Sequence, residues 1–368
     1  QAVWLALGLS VLGSTLLFFP YPFLWLSKAT PEVAERVQGY LTALALSLPA
    51  SLLFTVYRGF NTAVSRPKAV MALQLGGLAL KLPLTAALVF GVPALGIPEL
   101  GVTGCGIATA CAMWGQVLIA WWVMRHDSFY APFKLFGRGL HPPHRAALKG
   151  LLKLGVPMGA GILIEVTGFS TMALLISRIG TVPVAGHQVA TNIVSLMFML
   201  PLALANASST LVAQRMGAGD LPDARRIGWH SLAFGVALSA ALGAAVFVAR
   251  HGVVGLYTAN PAIAGAALPL LTWVVLFHIA DAIQTITAFV LRAWRIATVP
   301  MVIYAGALWG VGLGGGYVVA FNLSGATPAA LLGARGFWAA STTGLVVASI
   351  ALSVFMLLVL RPQARPAG

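Results

Sequence analysis

Ile227–Ala249 reads IGWHSLAFGVALSAALGAAVFVA, with Arg225 and Arg226 just before it and Arg250 just after. No Asp, Glu, Lys or Arg interrupts it, and as a helix it spans roughly 35 Å, enough to cross the hydrocarbon of a bilayer. Basic residues at both ends and none inside are what a transmembrane helix requires. The pattern recurs along the chain, giving expected spans at 2–26, 37–57, 69–90, 102–124, 151–177, 184–214, 227–249, 265–291, 299–321 and 336–360. Composition agrees: of 368 residues, 59% are hydrophobic and 8% charged, and mean hydropathy is +0.92, which excludes a water-soluble domain. The fold class is an all-α polytopic membrane bundle. Runs of about 20 apolar residues, instead of alternating ten-residue segments, exclude a barrel.

The net charge of +14 does not imply nucleic acid, because the 22 Lys and Arg are spread thinly between spans. Starting the chain on the inner side puts sixteen of them inside, among them Arg66, Arg125, Lys134, Arg138 and Arg145. Five fall outside (Lys28, Arg36, Arg178, Arg250 and Arg335), and Lys81 lies within a span. That asymmetry places the basic loops and both ends in the cytoplasm. The span at 2–26 lacks a basic leader and a cleavage site, so it is expected to remain in the membrane. Cys105 and Cys111, six apart on one helix, face different directions and do not form a bridge.

The stretch 125–150 is basic, contains Pro132, Pro142 and Pro143, and has no span. It divides the chain into an N-lobe (1–135, four spans), a linker (136–150) and a C-lobe (151–368, six spans with a short tail). An offset of 230 lays Thr30-Pro31 on Asn260-Pro261 and Leu41-Thr42 on Leu271-Thr272, the mark of a weak parallel repeat. The shortfall at the N-terminus leads to the expectation that two spans are missing from this chain.

Six of the eight acids fall in loops, where a solvated charge needs no explanation. Glu165, 12 residues from Lys153 and 13 from Arg178, and Asp281, 11 residues before Arg292, lie deep in spans. A carboxylate at that depth is expected to bind an ion, carry a proton or be paired. His278, Asp281, Gln284 and Thr285 recur at helical spacing, as do Gln188, Asn192, Ser195 and Asn206, and Gly161 and Gly168 flank Glu165 for close helix approach. These stripes either line a polar cavity or hydrogen-bond helices together. Lys81 either pairs with a carboxylate, competes with a cation or snorkels. Met172, Met197 and Met199 form either an adaptable substrate surface or core. Met216-Gly217-Ala218-Gly219-Asp220 has the glycines of a phosphate loop without the Gly-Lys-Ser/Thr, and reads as a tight turn before a helix capped by Asp220. His187 lacks partners at metal-ligand spacing and is expected to hydrogen-bond. No nucleotide motif, nucleophile triad or cysteine-pair metal site is visible, so enzyme chemistry and a cofactor are not expected.

At Glu165, Val184-Ala185-Gly186-His187-Gln188-Val189-Ala190, Met199-Leu200-Pro201, Ala213-Gln214-Arg215-Met216-Gly217-Ala218-Gly219 and Ala280-Asp281-Ala282-Ile283-Gln284, the chain resembles the multidrug and toxic compound extrusion family, NorM-type branch. The resemblance covers nearly the whole chain and is most specific over 151–295. It implies twelve spans in two lobes around a central cavity, with organic cations exported from the inner membrane in exchange for sodium ions or protons. It also implies that Glu165 and Asp281 are the C-lobe cation site with Phe277 as the accompanying aromatic, and that residues 1–135 are the third to sixth spans, without the acid that many members carry in the first two. Small organic cations and membrane lipid are the expected partners, nucleic acid is not, and the protein is expected to be a monomer. A lipid-precursor flippase of the same superfamily, an intramembrane enzyme and a non-transporting scaffold are the competing readings.

Overall fold

A computed structural model describes residues 1–21, 24, 30–93, 96–136, 139 and 141–361; Lys28, Arg138, Arg365 and the tail beyond Arg361 lie outside the described residues. The chain is mostly helical among the described residues and divides into two compact units, Gln1–Leu151 and Leu152–Gly368.

The first unit contains α1 (Ala2–Phe18), α2 (Pro31–Ala63), α3 (Pro67–Phe90) and α4 (Gly101–His126), followed by a 3₁₀ turn at Ser128–Phe133. Proline stands in the first turn of both α2 and α3, where its missing N–H costs no helical bond. The four helices meet through small side chains. Ala43, Ala45, Ala50, Ala108, Ala112 and Ala120 are buried, and a Cβ on Gly106 would lie 2.8 Å from Ala43 Cβ and 3.1 Å from the Tyr40 carbonyl. Backbones approach this closely only where side chains are absent or small.

Pro49 interrupts the hydrogen bonding of α2 and leaves the Ala45 carbonyl without its helical donor. Ser14 Oγ of α1 donates to that carbonyl at 2.7 Å, and Trp114 Nε1 of α4 donates to the adjacent Leu46 carbonyl at 3.0 Å. The kink is thus held from both neighbours. At the other end of the unit, Gln1 donates to the Pro142 carbonyl (3.0 Å) and accepts from the His144 N–H (2.8 Å), while Trp4 Nε1 donates to the His141 carbonyl (2.8 Å).

The second unit takes up most of α5 (Arg145–Ser177), then α6 (Thr181–Gly217), α7 (Leu221–Val248), α8 (Arg250–Tyr257), α9 (Pro261–Ala267), a 3₁₀ turn (Leu270–Trp273) and α10 (Val274–Ala293). It continues through α11 (Thr298–Ala305), a π-helix (Gly306–Gly314), α12 (Gly315–Ala320) and α13 (Ala334–Val359). α10 packs against α6, α7 and α13. Its core is built from large side chains: Trp338, Phe277, Phe337, Ile176, Leu270, Leu271 and Ile286 are each less than 3% exposed. Asp220 accepts from the Asp223 N–H at 3.1 Å and starts α7, with Gly219 at a φ of 79°, so the glycine-rich stretch is a turn and cap.

Nine helices among the described residues are long and apolar enough to cross a bilayer; α1, at 17 residues, is the shorter apolar helix where a span to residue 26 was expected. The expected start of the fifth span moves back from 151 to Arg145, because Arg145-Ala146-Ala147-Leu148-Lys149 is made of good helix formers that carry the helix beyond its apolar part. The offset of 230 persists in the backbone. Thr30-Pro31 and Asn260-Pro261 both open helices, and at the far ends Ser65 and Arg295 share a φ of 61°. Beside them Arg66 N–H reaches the Asn61 carbonyl and Ile296 N–H the Leu291 carbonyl, at 2.8 and 3.0 Å. Between these points the copies diverge: α2 runs unbroken, whereas Pro269 splits its counterpart into α9, the 3₁₀ turn and α10.

Candidate functional site

Glu165 on α5 and Asp281 on α10 are partly buried and within electrostatic reach of each other, and the buried Tyr304 of α11 is within reach of both. Neither carboxylate has a hydrogen-bond or ion-pair partner among the described residues. Two acids whose mutual repulsion is unrelieved by a protein cation favour a positive charge from outside the chain.

The neighbourhood is built by three local irregularities. Gly168, one turn after Glu165, lets the π-helix approach, since a Cβ there would meet Leu308 Cδ2 at 3.0 Å and Trp309 Nε1 at 3.5 Å. Trp309 Nε1 donates to the Ile164 carbonyl at 3.1 Å, tying the π-helix to the residue before Glu165. The π-helix in turn seats on α13 through Gly344, where a Cβ would lie 2.5 Å from the Ala307 carbonyl oxygen. A π segment inside a span is a common feature of functional sites. Gly161, by contrast, faces open space and supports no helix contact.

Phe277 is 2% exposed, with its ring 6.5 Å from Phe169 and 5.5 Å from Trp338. Trp338 Nε1 donates to His187 Nδ1 at 3.2 Å, which gives His187 the hydrogen-bonding role expected of it. His278 is fully buried one turn before Asp281, and neither ring nitrogen has a partner among the described residues. Thr285 Oγ1 donates to Gln284 Oε1 at 3.0 Å. The expected stripe on α10 is therefore split: His278 and Thr285 face the packed core, while Asp281 and Gln284 lie at its edge.

The second stripe is disposed differently. Gln188, Asn192, Ser195 and Asn206 are all exposed on α6, with Asn192 Nδ2 donating to the Gln188 carbonyl (3.4 Å) and Asn206 Nδ2 to the Leu202 carbonyl (2.8 Å). The three methionines do not share a surface: Met172 and Met197 are core residues at 3% and 5% exposure, and Met199 is 55% exposed. Ser341 Oγ donates to the Met172 sulfur at 3.4 Å. Lys81 stands partly buried on α3, with no carboxylate of its own unit at salt-bridge distance among the described residues. Sequence reasoning missed Tyr304, Trp309 and the π-helix. The signal available was the run Gly306-Ala307-Leu308-Trp309-Gly310-Val311-Gly312-Leu313-Gly314, whose glycines weaken an ordinary helix.

Comparison with known proteins places these features in a family. A family model described as MatE matches residues 1–87 and 157–318. A protein of Aromatoleum aromaticum named "Probable multidrug resistance protein NorM" is 39% identical over 366 residues, covering 99% of this chain and 78% of that protein. "Multidrug resistance protein PmpM" of Pseudomonas aeruginosa is 35% identical over 362 residues, covering 96% of this chain and 73% of that protein. Among solved structures, a MATE protein in a bent conformation superposes with a TM-score of 0.85 at 18% identity, covering 97% of this chain and 76% of that one. The eukaryotic MATE transporter AtDTX14 gives 0.80 at 21% identity, with the same coverage of 97% and 76%.

Proposed function

The chain belongs to the MatE family, and from that premise we propose that it is a secondary-active multidrug exporter that moves organic cations out of the cell in exchange for a small cation. The observation that carries the reading is the pair Glu165 and Asp281: two acids within spans, within electrostatic reach of each other, with no hydrogen-bond or ion-pair partner among the described residues. A small cation between them relieves their repulsion and favours one arrangement of the protein. An organic cation depends on the same negative charge and binds to the other arrangement. Exchange follows because each ligand shifts the equilibrium only by its differential affinity for the two states.

Sodium is the coupling ion proposed. Gln284, at the same edge of the core as Asp281, and Tyr304, within reach of both acids, carry neutral oxygens of the kind a hard cation takes. The exposed amides of Gln188 and Asn192 are poorly suited to lipid, which supports a water-filled, substrate-facing surface on that side of α6. The basic loops and both ends lie in the cytoplasm, and the protein sits in the inner membrane of a bacterium. It works as a monomer without a cofactor, and as a carrier it makes and breaks no covalent bond.

The test is accumulation of ethidium in efflux-deficient cells that express the chain, followed by vesicle transport under an imposed sodium or proton gradient. Lower accumulation with the chain than without it is expected, together with export driven by sodium at fixed pH. Export in sodium-free buffer driven by a proton gradient would replace the ion and keep the exchanger. Unchanged accumulation in cells where the protein is in the membrane would refute export.

A further inference from the structure

Beyond α4 the chain folds back onto the end of α2. Asp127–Phe136 reads DSFYAPFKLF, and its inner side is fastened to the end of α2. Asp127 Oδ1 accepts from the Phe129 N–H at 3.0 Å, and Oδ2 accepts from Arg66 Nη1 at 2.6 Å. The Arg66 guanidinium also lies 4.3 Å over the Phe129 ring. Tyr130, 2% exposed, donates to Asn61 Oδ1 at 2.6 Å, and the fully buried Asn61 donates to the Tyr57 carbonyl at 3.0 Å. Phe133 meets Phe60 edge to face, with ring centres 5.4 Å apart. The fastening fixes which side of the segment is left outward.

Leu135 and Phe136, at 38% and 44% exposure, are left outward, and Phe133, although it touches Phe60, keeps 43% of its surface exposed beside them. One to two turns back on α4, Trp121 and Trp122 are also exposed, with Arg125 over the Trp121 ring at 5.4 Å and His126 stacked on Trp122 at 5.0 Å. Lys134 and Arg125 are exposed and have no carboxylate partner among the described residues, because Asp127 is engaged by Arg66. Lys134 holds a φ of 47°, a conformation that glycine adopts freely and a lysine does not. A lysine at a backbone position that disfavours its side chain points to a use for that side chain.

Water is a poor environment for three adjacent exposed apolar side chains, and hydrocarbon is a poor one for Lys134 and Arg125. The headgroup region satisfies both sets, and the segment is continuous with a helix that already crosses the bilayer. We propose that Asp127–Phe136 is an interfacial anchor that inserts Phe133, Leu135 and Phe136 at the acyl boundary and binds the phosphate of anionic phospholipids through Lys134. It fastens the chain leading from the first unit towards the second to the membrane surface, and it gives that leaflet's lipid composition a direct hold on the protein.

The experiment uses the full chain with Cys105→Ala and Cys111→Ala, an environment-sensitive fluorophore on Leu135→Cys, and vesicles of phosphatidylcholine with phosphatidylglycerol. One of the two lipids carries a spin-label quencher high on its chain. Labelled phosphatidylglycerol is expected to quench about fivefold more effectively than labelled phosphatidylcholine, the preference that one basic side chain confers near an anionic surface. Lys134→Gly is expected to abolish that preference while the probe stays shielded from aqueous iodide. Glycine is at ease at this φ, so the result cannot be ascribed to misfolding. Equal quenching by the two lipids, ready quenching by iodide, or a preference that survives Lys134→Gly would each overturn the proposal.

Discussion

The two units begin and end their repeated segments in the same way yet hold themselves together by different means. In Gln1–Leu151 the helices meet through alanine and glycine, and the buried amide Asn61 serves a tie at one end. In Leu152–Gly368 the core consists of Trp338, Phe277, Phe337 and large aliphatic side chains, with His187 and His278 buried among them and the partly buried acid pair at its edge. The first unit has a cavity of about 740 Å³ between α1, α2 and α4, but its lining is mostly apolar, with the hydroxyls of Ser10, Ser14 and Thr15 as exceptions. The second unit holds the acids, the buried histidines and the π-helix. The expectation is a division of labour, with chemistry in the second unit and rigidity in the first.

The largest effect that tests this division is on transport. Glu165→Gln and Asp281→Asn are each expected to lower ethidium efflux to the level of cells lacking the protein, with the variant still present in the membrane. Lys81→Gln, which removes the intramembrane charge of the first unit, is expected to retain most of the efflux. Loss with Lys81→Gln and retention with the acid variants would reverse the assignment.

Next comes packing. Gly344→Ala drives a Cβ towards the Ala307 carbonyl oxygen of the π-helix and is expected to destabilise the detergent-solubilised protein by about 1–3 kcal/mol in thermal unfolding. Gly76→Ala in the first unit meets nothing within 4 Å and is expected to be neutral or to stabilise by up to about 1 kcal/mol. Similar losses at both sites would show that the units are equally tight.

A smaller effect is tied to pH. The Phe129 N–H, and then the Arg66 guanidinium, hold the Asp127 carboxyl below the usual carboxylate range. The unfolded chain therefore takes up the proton before the folded one does, so the contribution is complete above roughly pH 4 and fades as pH falls through the depressed value. Asp127→Asn is expected to lower the melting temperature at pH 7, and the gap from the parent is expected to close in strong acid. A gap that stays constant with pH would mean that the residue acts by shape alone. The smallest effect expected is that of Ser14→Ala, about 0.6 kcal/mol, the typical worth of a hydrogen bond between membrane helices. A loss several times larger, measured by the same unfolding, would make this tie the main support of the first unit.

Much of this organisation was legible in the sequence because lipid is an exacting solvent. Arg225, Arg226 and Arg250 bracket an uncharged stretch, and α7 duly runs Leu221–Val248. The depth of Glu165 and Asp281 followed from their distance to flanking cations, although depth says nothing about proximity. What links the acids' surroundings is side-chain contact, Phe169 on α5 with Phe277 on α10 and Trp309 of the π-helix with the Ile164 carbonyl, and neither Tyr304 nor Trp309 had a polar periodicity to announce it. The π-helix was hidden for the same reason, since a span made of Gly, Ala, Leu and Val looks alike whether its hydrogen bonds reach four residues or five. Spacing also failed to separate the buried Met172 and Met197 from the exposed Met199, because three positions on neighbouring turns do not reveal which side a partner helix covers. Pro269 was visible, but the consequence of a proline at that point, a helix divided into three pieces, was not.

The kink at Pro49 has a mechanical consequence. The Ala45 and Leu46 carbonyls are held by donors from two different helices, Ser14 of α1 and Trp114 of α4, so these contacts act as struts between α1, α2 and α4. Sliding α2 along either neighbour by one residue would carry these carbonyls away from their donors, and hydrocarbon offers no substitute. The three helices are therefore geared together, and a displacement imposed on one of them is delivered to the others at full stroke.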